Sequence, residues 1–199
     1  MNLPNRLTLA RILLIPLILL FMLPLPDIFA FASWNRFIIE YGQLVAFVLF
    51  AIASLTDLID GRIARKLNLV TNLGKFLDPI ADKMLVISVL SVLVQLHRLS
   101  ALVVIVVIIR EFTVTGVRLA ASDKGVVIAA SRLGKAKTVS QIIAVLIILG
   151  ERTLIMLTGS FLAGSWIIGA GDAAMLISVI LTLVSGIDYV RKNLSYLKE

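Results

Sequence analysis

Four aspartates, Asp57, Asp60, Asp78 and Asp82, stand in a chain that is 60% hydrophobic. They fall in Asp57-Leu58-Ile59-Asp60-Gly61-Arg62-Ile63-Ala64-Arg65 and, eight residues on, in Gly74-Lys75-Phe76-Leu77-Asp78-Pro79-Ile80-Ala81-Asp82. On a helix, Asp57, Asp60, Gly61, Ala64 and Arg65 share one face, and so do Gly74, Asp78 and Asp82. Each face sets two carboxylates beside a residue without bulk. Carboxylates at membrane depth are costly and mark functional sites. With no cysteine in the chain and a single histidine, these hard oxygen donors suit Mg²⁺ or Mn²⁺ rather than zinc. Two such ions can grip both the attacking and the leaving oxygen of a phosphoryl displacement. Gly61 and Gly74 leave room for a base or phosphate to approach closely, and Arg65 adds a fork-shaped donor for phosphate oxygen.

The elements that must hold these residues are apolar helices. The mean hydropathy is +1.05, and several runs reach the roughly 20 residues a bilayer crossing needs. The spacing predicts an all-α, polytopic membrane protein with six spans. They run from about Leu9 to Leu25, Phe37 to Arg65, the region after Leu73 to Leu96, Ala101 to Ala121, Leu133 to Leu149 and Phe161 to Val190. The first run lacks a small-residue cleavage site and reads as a retained helix. No internal repeat or low-complexity segment divides residues 1–199, which read as one membrane domain. Without cysteine, neither a disulfide framework nor a thiolate nucleophile is available.

The net charge of +7 is placed in bands between apolar runs rather than along one soluble face. That excludes nucleic acid as the reading and indicates a cytoplasmic side facing anionic headgroups. With both termini inside, Arg36, Arg98 and Arg152 lie outside, and the other 16 of the 19 lysines and arginines lie at cytoplasmic ends or, for Arg110, within a span. Both aspartate pairs then open toward the cytosol, where phosphorylated metabolites are found.

The pattern Asp-x2-Asp-Gly-x2-Ala-Arg-x8-Gly-x3-Asp-x3-Asp resembles the signature of the CDP-alcohol phosphatidyltransferases, with every fixed position filled from Asp57 to Asp82. The resemblance implies that Asp57, Asp60 and Asp78 bind divalent metal with help from Asp82. It implies two ions, Mg²⁺ or Mn²⁺, and Asp82 as the general base on the acceptor hydroxyl. It places the cytidine diphosphate against Gly61, Arg65 and Gly74, with Asp57 and Asp78 beside it. It also implies a homodimer in a bacterial cell membrane.

A second region bears on the acceptor alcohol. Arg110 and Glu111 interrupt an apolar span, and Arg118, Lys124, Arg132, Lys135 and Lys137 follow. Basic side chains beside a metal site suit an anionic acceptor such as a phosphate monoester. The segments Arg110-Glu111-Phe112-x-Val114-Thr115-Gly116-x-Arg118, Gly134-Lys135-Ala136-Lys137-Thr138 and Asn5-x2-Thr8-x2-Arg11 resemble the phosphatidylglycerophosphate synthases of bacteria. That likeness implies CDP-diacylglycerol and sn-glycerol 3-phosphate as substrates. Arg118, Lys135 and Lys137 would hold the acceptor's phosphate, with Thr8 and Arg110 as helpers, and Asn5 would contact the nucleotide or cap the first helix. Lys124 and Arg132 read better as obeying the positive-inside rule. For Arg110 and Glu111 two readings stand side by side, phosphate contact and a structural ion pair. Asp188 is expected to pair with Arg191, and Asp172 to sit at the outer surface. The nearest rival keeps the chemistry and changes the acceptor, for instance to inositol phosphate. A rival of another class is a cation-coupled transporter, which would place its ion site at broken helices near the midplane.

Overall fold

The computed structural model describes residues 3–26, 28–66, 72–126, 128–129, 131–159 and 161–194, with side chains from residue 7 onward except those of 57–66, 72–79 and 161–163. Among these residues every regular element is a helix. Helix α1 spans Leu3–Met22; after a turn, the 3-10 segment Phe29–Phe31, α2 (Ala32–Phe37), a π-helical turn Ile38–Gly42 and α3 (Gln43–Lys66) follow without a break. Helices α4 (Asn72–Gln95), α5 (Ala101–Asp123), α6 (Arg132–Thr158) and α7 (Phe161–Lys192) complete the chain. Three stretches, Phe29–Thr56, Arg132–Thr158 and Gly164–Lys192, are long and apolar enough to cross a membrane, and Leu7–Met22 is a shorter apolar helix.

Local chemistry sets the helix ends. The Ser100 hydroxyl accepts from the Leu102 N–H at the start of α5, and the Ser131 hydroxyl accepts from the Gly134 N–H at the start of α6, which satisfies donors the first turn leaves orphaned. Gly159, at φ +60°, closes α6 in the left-handed conformation.

The long helices pack in a ring. α1 lies against α3 and α4, α3 against α6, α6 against α7, α7 against α5, and α5 against α4. Their inward faces interlock in one apolar core that includes Ile18 of α1, Phe50 of α3, Leu90 and Leu93 of α4, Val107 of α5 and Ile148 of α6. Large apolar side chains also face outward, Trp166 (80% exposed), Phe112 (71%) and Leu102 (69%) among them. A surface of that character suits lipid rather than water.

Two spans differ from the sequence expectation. The second helical run begins at Phe29 rather than Phe37, because Phe21, Trp34, Phe37 and Tyr41 stack in succession with ring centroids 5.5–6.4 Å apart. The Asn35 amide adds hydrogen bonds to both the N–H and the carbonyl of Leu25. The fifth span continues past Leu149 to Thr158, since Glu151 is buried and paired with Arg98 of the turn between α4 and α5 rather than turning to solvent.

Where α1 meets the π-helical turn, the backbones nearly touch. A Cβ at Gly42 would land on the Phe21 carbonyl oxygen, an atom that cannot rotate away. Gly42→Ala is therefore expected to cost about 1–3 kcal/mol, seen as a lower melting temperature in detergent; an unchanged melt would contradict this packing.

Candidate active site

A cavity of about 530 Å³ opens where α4, α5, α6 and α7 meet. Helix α4 contributes Asp82, Lys83, Val86 and Ile87; α5 contributes Val107, Arg110, Glu111, Val114 and Arg118. The first turns of α6 contribute Ser131, Gly134, Lys135, Lys137, Thr138, Val139 and Gln141, and α7 contributes Tyr189. Arg110 and Arg118 of α5 and Lys135 and Lys137 of α6, singled out in the sequence for phosphate binding, thus border one space with Asp82. Five cations face two carboxylates across it.

Glu111 organises the cationic wall. Its Oε1 accepts from Lys137 Nζ at 2.6 Å and from Arg110 Nη1 at 2.9 Å, and Lys83 lies 4.0 Å from Oε2. Lys83 also donates to the Thr115 hydroxyl, which itself donates to the Glu111 carbonyl. Both sequence readings of Arg110 and Glu111 are compatible with this geometry, since the pair is formed and yet lines the cavity. Arg110 reaches it between two glycines. A Cβ at Gly134 would sit 3.3 Å from its Nη2, and one at Gly186 would sit 3.1 Å from its Cγ. Arg118 is oriented by Tyr189, donating from Nε to the phenol oxygen at 3.1 Å, with its guanidinium 5.6 Å from the ring centroid.

Lys137 is 3% exposed. A buried ammonium that loses its counter-charge is strongly destabilising. Glu111→Gln is accordingly expected to lower stability by about 3 kcal/mol, read as thermal unfolding in detergent. Wild-type stability in that variant would show that Lys137 has another counter-charge.

Asp82 stands at the α1 side of the cavity with its side chain 47% exposed, while its partner Arg11 is 2% exposed. Arg11 Nη1 donates to Asp82 Oδ1 at 2.7 Å. Thr8, one turn earlier on α1, is buried as well. The opening segment of the chain is thereby tied to the base of the aspartate motif. The side chains of Asn5, Asp57, Asp60, Arg65 and Asp78 lie outside the described residues, as do the surroundings of Gly61 and Gly74. Their backbone belongs to the last turns of α3 and the first turns of α4 and α1. A divalent ion fits the donor set as chemistry. It consists of carboxylates alone, it comes from two helices that both pack on α1, and its described member, Asp82, is accessible.

The opposite end of the bundle is closed by ion pairs. Arg98 donates from Nε and Nη2 to both Glu151 oxygens at 2.7 Å and from Nη1 to Asp172 at 2.6 Å. The Glu151 hydrogen bond, against the opposing effect of burial and with help from Asp172, raises the Arg98 guanidinium above its usual range. Asp172 is thus tied into a network at the expected end. Asp188 pairs with Lys192 at 2.9 Å rather than with Arg191, because one full turn separates the first two. His97 occupies a tight turn at φ 56°. Sequence reasoning missed Lys83, Ser131, Gln141 and Tyr189 as cavity residues. The register of Lys83 beside Asp82, and of Gln141 four residues after Lys137, was the signal available.

A family model described as CDP-alcohol phosphatidyltransferase matches residues 1–184. The chain is 46% identical to the CDP-diacylglycerol–glycerol-3-phosphate 3-phosphatidyltransferase of Bacillus subtilis (strain 168), over 99% of this chain and 97% of that one. It is 34% identical to the Escherichia coli (strain K12) protein of the same name, over 95% and 93% of the two chains. It is also 34% identical to a probable phosphatidylglycerophosphate synthase of Mycobacterium tuberculosis (strain ATCC 25618 / H37Rv), over 97% and 82%.

Proposed function

We propose, since the chain belongs to the CDP-alcohol phosphatidyltransferase family, that it transfers the phosphatidyl group of CDP-diacylglycerol to sn-glycerol 3-phosphate. The products are phosphatidylglycerol phosphate and CMP, a step in phospholipid biosynthesis. The observation that carries the acceptor's identity is the cavity in which Arg110, Arg118, Lys135 and Lys137 gather beside Asp82. A dianionic phosphate monoester matches such a wall, whereas a neutral alcohol leaves its charge unanswered. The names of the relatives point to the same pair of substrates.

The residues divide the work. Arg118 and Lys135, with Lys137 and Arg110 held by Glu111, bind the phosphate of the acceptor and orient its 1-hydroxyl toward Asp82. Arg11 fixes the Asp82 carboxylate from the α1 side, and Thr8, one turn earlier, helps to hold the acceptor. Asp82 removes the proton of that hydroxyl, and the alkoxide attacks the phosphorus bearing diacylglycerol as the bond to the CMP oxygen breaks. Asp57, Asp60 and Asp78, with Asp82, would hold one or two divalent ions, Mg²⁺ or Mn²⁺, which when bound neutralise the diphosphate and the departing nucleotide. Asn5, Gly61, Arg65 and Gly74, with Asp57 and Asp78, receive the cytidine diphosphate.

The same reading places six spans in a bacterial cell membrane, with both termini and the cavity on the cytoplasmic side and the enzyme acting as a homodimer. Its support is the location of Arg11 and Tyr189 at the cavity end, with Arg98 at the other, and the basic residues banded to match. The acyl chains of the lipid substrate then stay in the bilayer. A panel of alcohols offered with CDP-diacylglycerol tests the acceptor. CMP release is expected with sn-glycerol 3-phosphate and not with choline, ethanolamine or inositol phosphate; equal release with inositol phosphate would overturn the choice.

A further inference from the structure

We infer that Gln141 is the residue that recognises the 2-hydroxyl of the acceptor, an assignment that rests on glycerol phosphate being that acceptor. Gln141 lines the cavity on α6, four residues after Lys137 and on the same face. It is 2% exposed, and its Nε2 has no hydrogen-bond partner among the described residues. A buried amide donor left unmatched is costly, and native structures retain one where something else satisfies it. Among the described residues none pairs with that nitrogen, and Val86, Ile87 and Val107 in the same lining are apolar.

A neutral amide beside a cationic wall answers a different part of the ligand from the phosphate. It offers both a donor and an acceptor, the complement of a hydroxyl, which also carries both. One helical turn separates it from Lys137, roughly 5–6 Å, a distance a three-carbon acceptor can bridge. With the phosphate at the cations and the 1-hydroxyl at Asp82, the 2-hydroxyl is the polar group of glycerol phosphate still unassigned. A site built to hydrogen-bond a hydroxyl discriminates strongly against the analogue that lacks it, because its own polar group is then left unpaired. Gln141 would therefore select the acceptor as well as bind it.

The experiment compares sn-glycerol 3-phosphate with 3-hydroxypropyl phosphate, which lacks only the 2-hydroxyl, using the full chain in mixed micelles with CDP-diacylglycerol and divalent metal. Wild type is expected to favour glycerol phosphate about 10- to 100-fold in kcat/KM, the ratio set by one buried donor left unmatched. Gln141→Leu is expected to lose most of that preference, falling on glycerol phosphate while changing little on the deoxy acceptor. Gln141→Met, unbranched like glutamine, should behave alike and decides the matter if the leucine variant does not fold. Parallel loss on both acceptors, or a preference that survives the substitution, would overturn the assignment while leaving the proposed reaction intact. Failure of wild type to use either acceptor would overturn the reaction and the assignment together.

Discussion

Asp82→Asn is expected to lower turnover about a thousandfold, within the range a positioned general base contributes, while binding of the CDP-lipid in the presence of metal persists. The asparagine keeps the size of the side chain and an oxygen that can still accept from Arg11, so the packing against α1 is retained. What it loses is the ability to take a proton. Asp82 is suited to that task by its surroundings: it borders the cavity, nearly half of it is exposed, and Arg11 fixes it at 2.7 Å from a buried position. CMP release in a single turnover, measured beside equilibrium binding of the nucleotide lipid, separates chemistry from binding. Turnover at the wild-type rate would remove Asp82 from the role of base.

Exhaustive removal of divalent metal is expected to have the other large effect, reducing CMP formation to background, with recovery on adding Mg²⁺ or Mn²⁺. On the proposed reading, the carboxylates of Asp57, Asp60, Asp78 and Asp82 share one site and would repel one another, and a hard divalent cation would relieve that repulsion while leaving coordination positions for substrate phosphate. A ligand that binds the folded state also stabilises it by mass action, so the same additions should raise the melting temperature. Replacing Asp57, Asp60 or Asp78 by alanine should weaken both responses. Full activity after chelation would contradict an ion-dependent reaction.

The helices and the aspartate motif were legible in the sequence for a simple reason: both are written in local periodicity. Apolar runs of about 20 residues report themselves, and so does the register of Asp57, Gly61, Arg65, Gly74 and Asp82. What was not legible depends on partners distant along the chain. Arg11 and Asp82 are 71 residues apart and Arg98 and Asp172 are 74 apart, and no local rule pairs them. The extension of α6 past Leu149 was hidden because Glu151 and Arg152 look like a polar turn until Arg98 is seen to neutralise the first of them. The basic residues of α5 and α6 were visible as charges, but Glu111 as their organising carboxylate needed the packed structure. Gln141 was overlooked because its one sequence signal, a place four residues after Lys137, gains meaning only once Lys137 is seen to line the cavity.

The most direct test follows the oxygen atom. sn-Glycerol 3-phosphate carrying ¹⁸O at its 1-hydroxyl is incubated with the purified protein, CDP-diacylglycerol and divalent metal, and both products are examined by mass spectrometry. Attack by that hydroxyl on the phosphatidyl phosphorus requires labelled phosphatidylglycerol phosphate and unlabelled CMP in equal amounts. CMP accompanied by phosphatidic acid and no labelled lipid, or label carried into CMP, would contradict it.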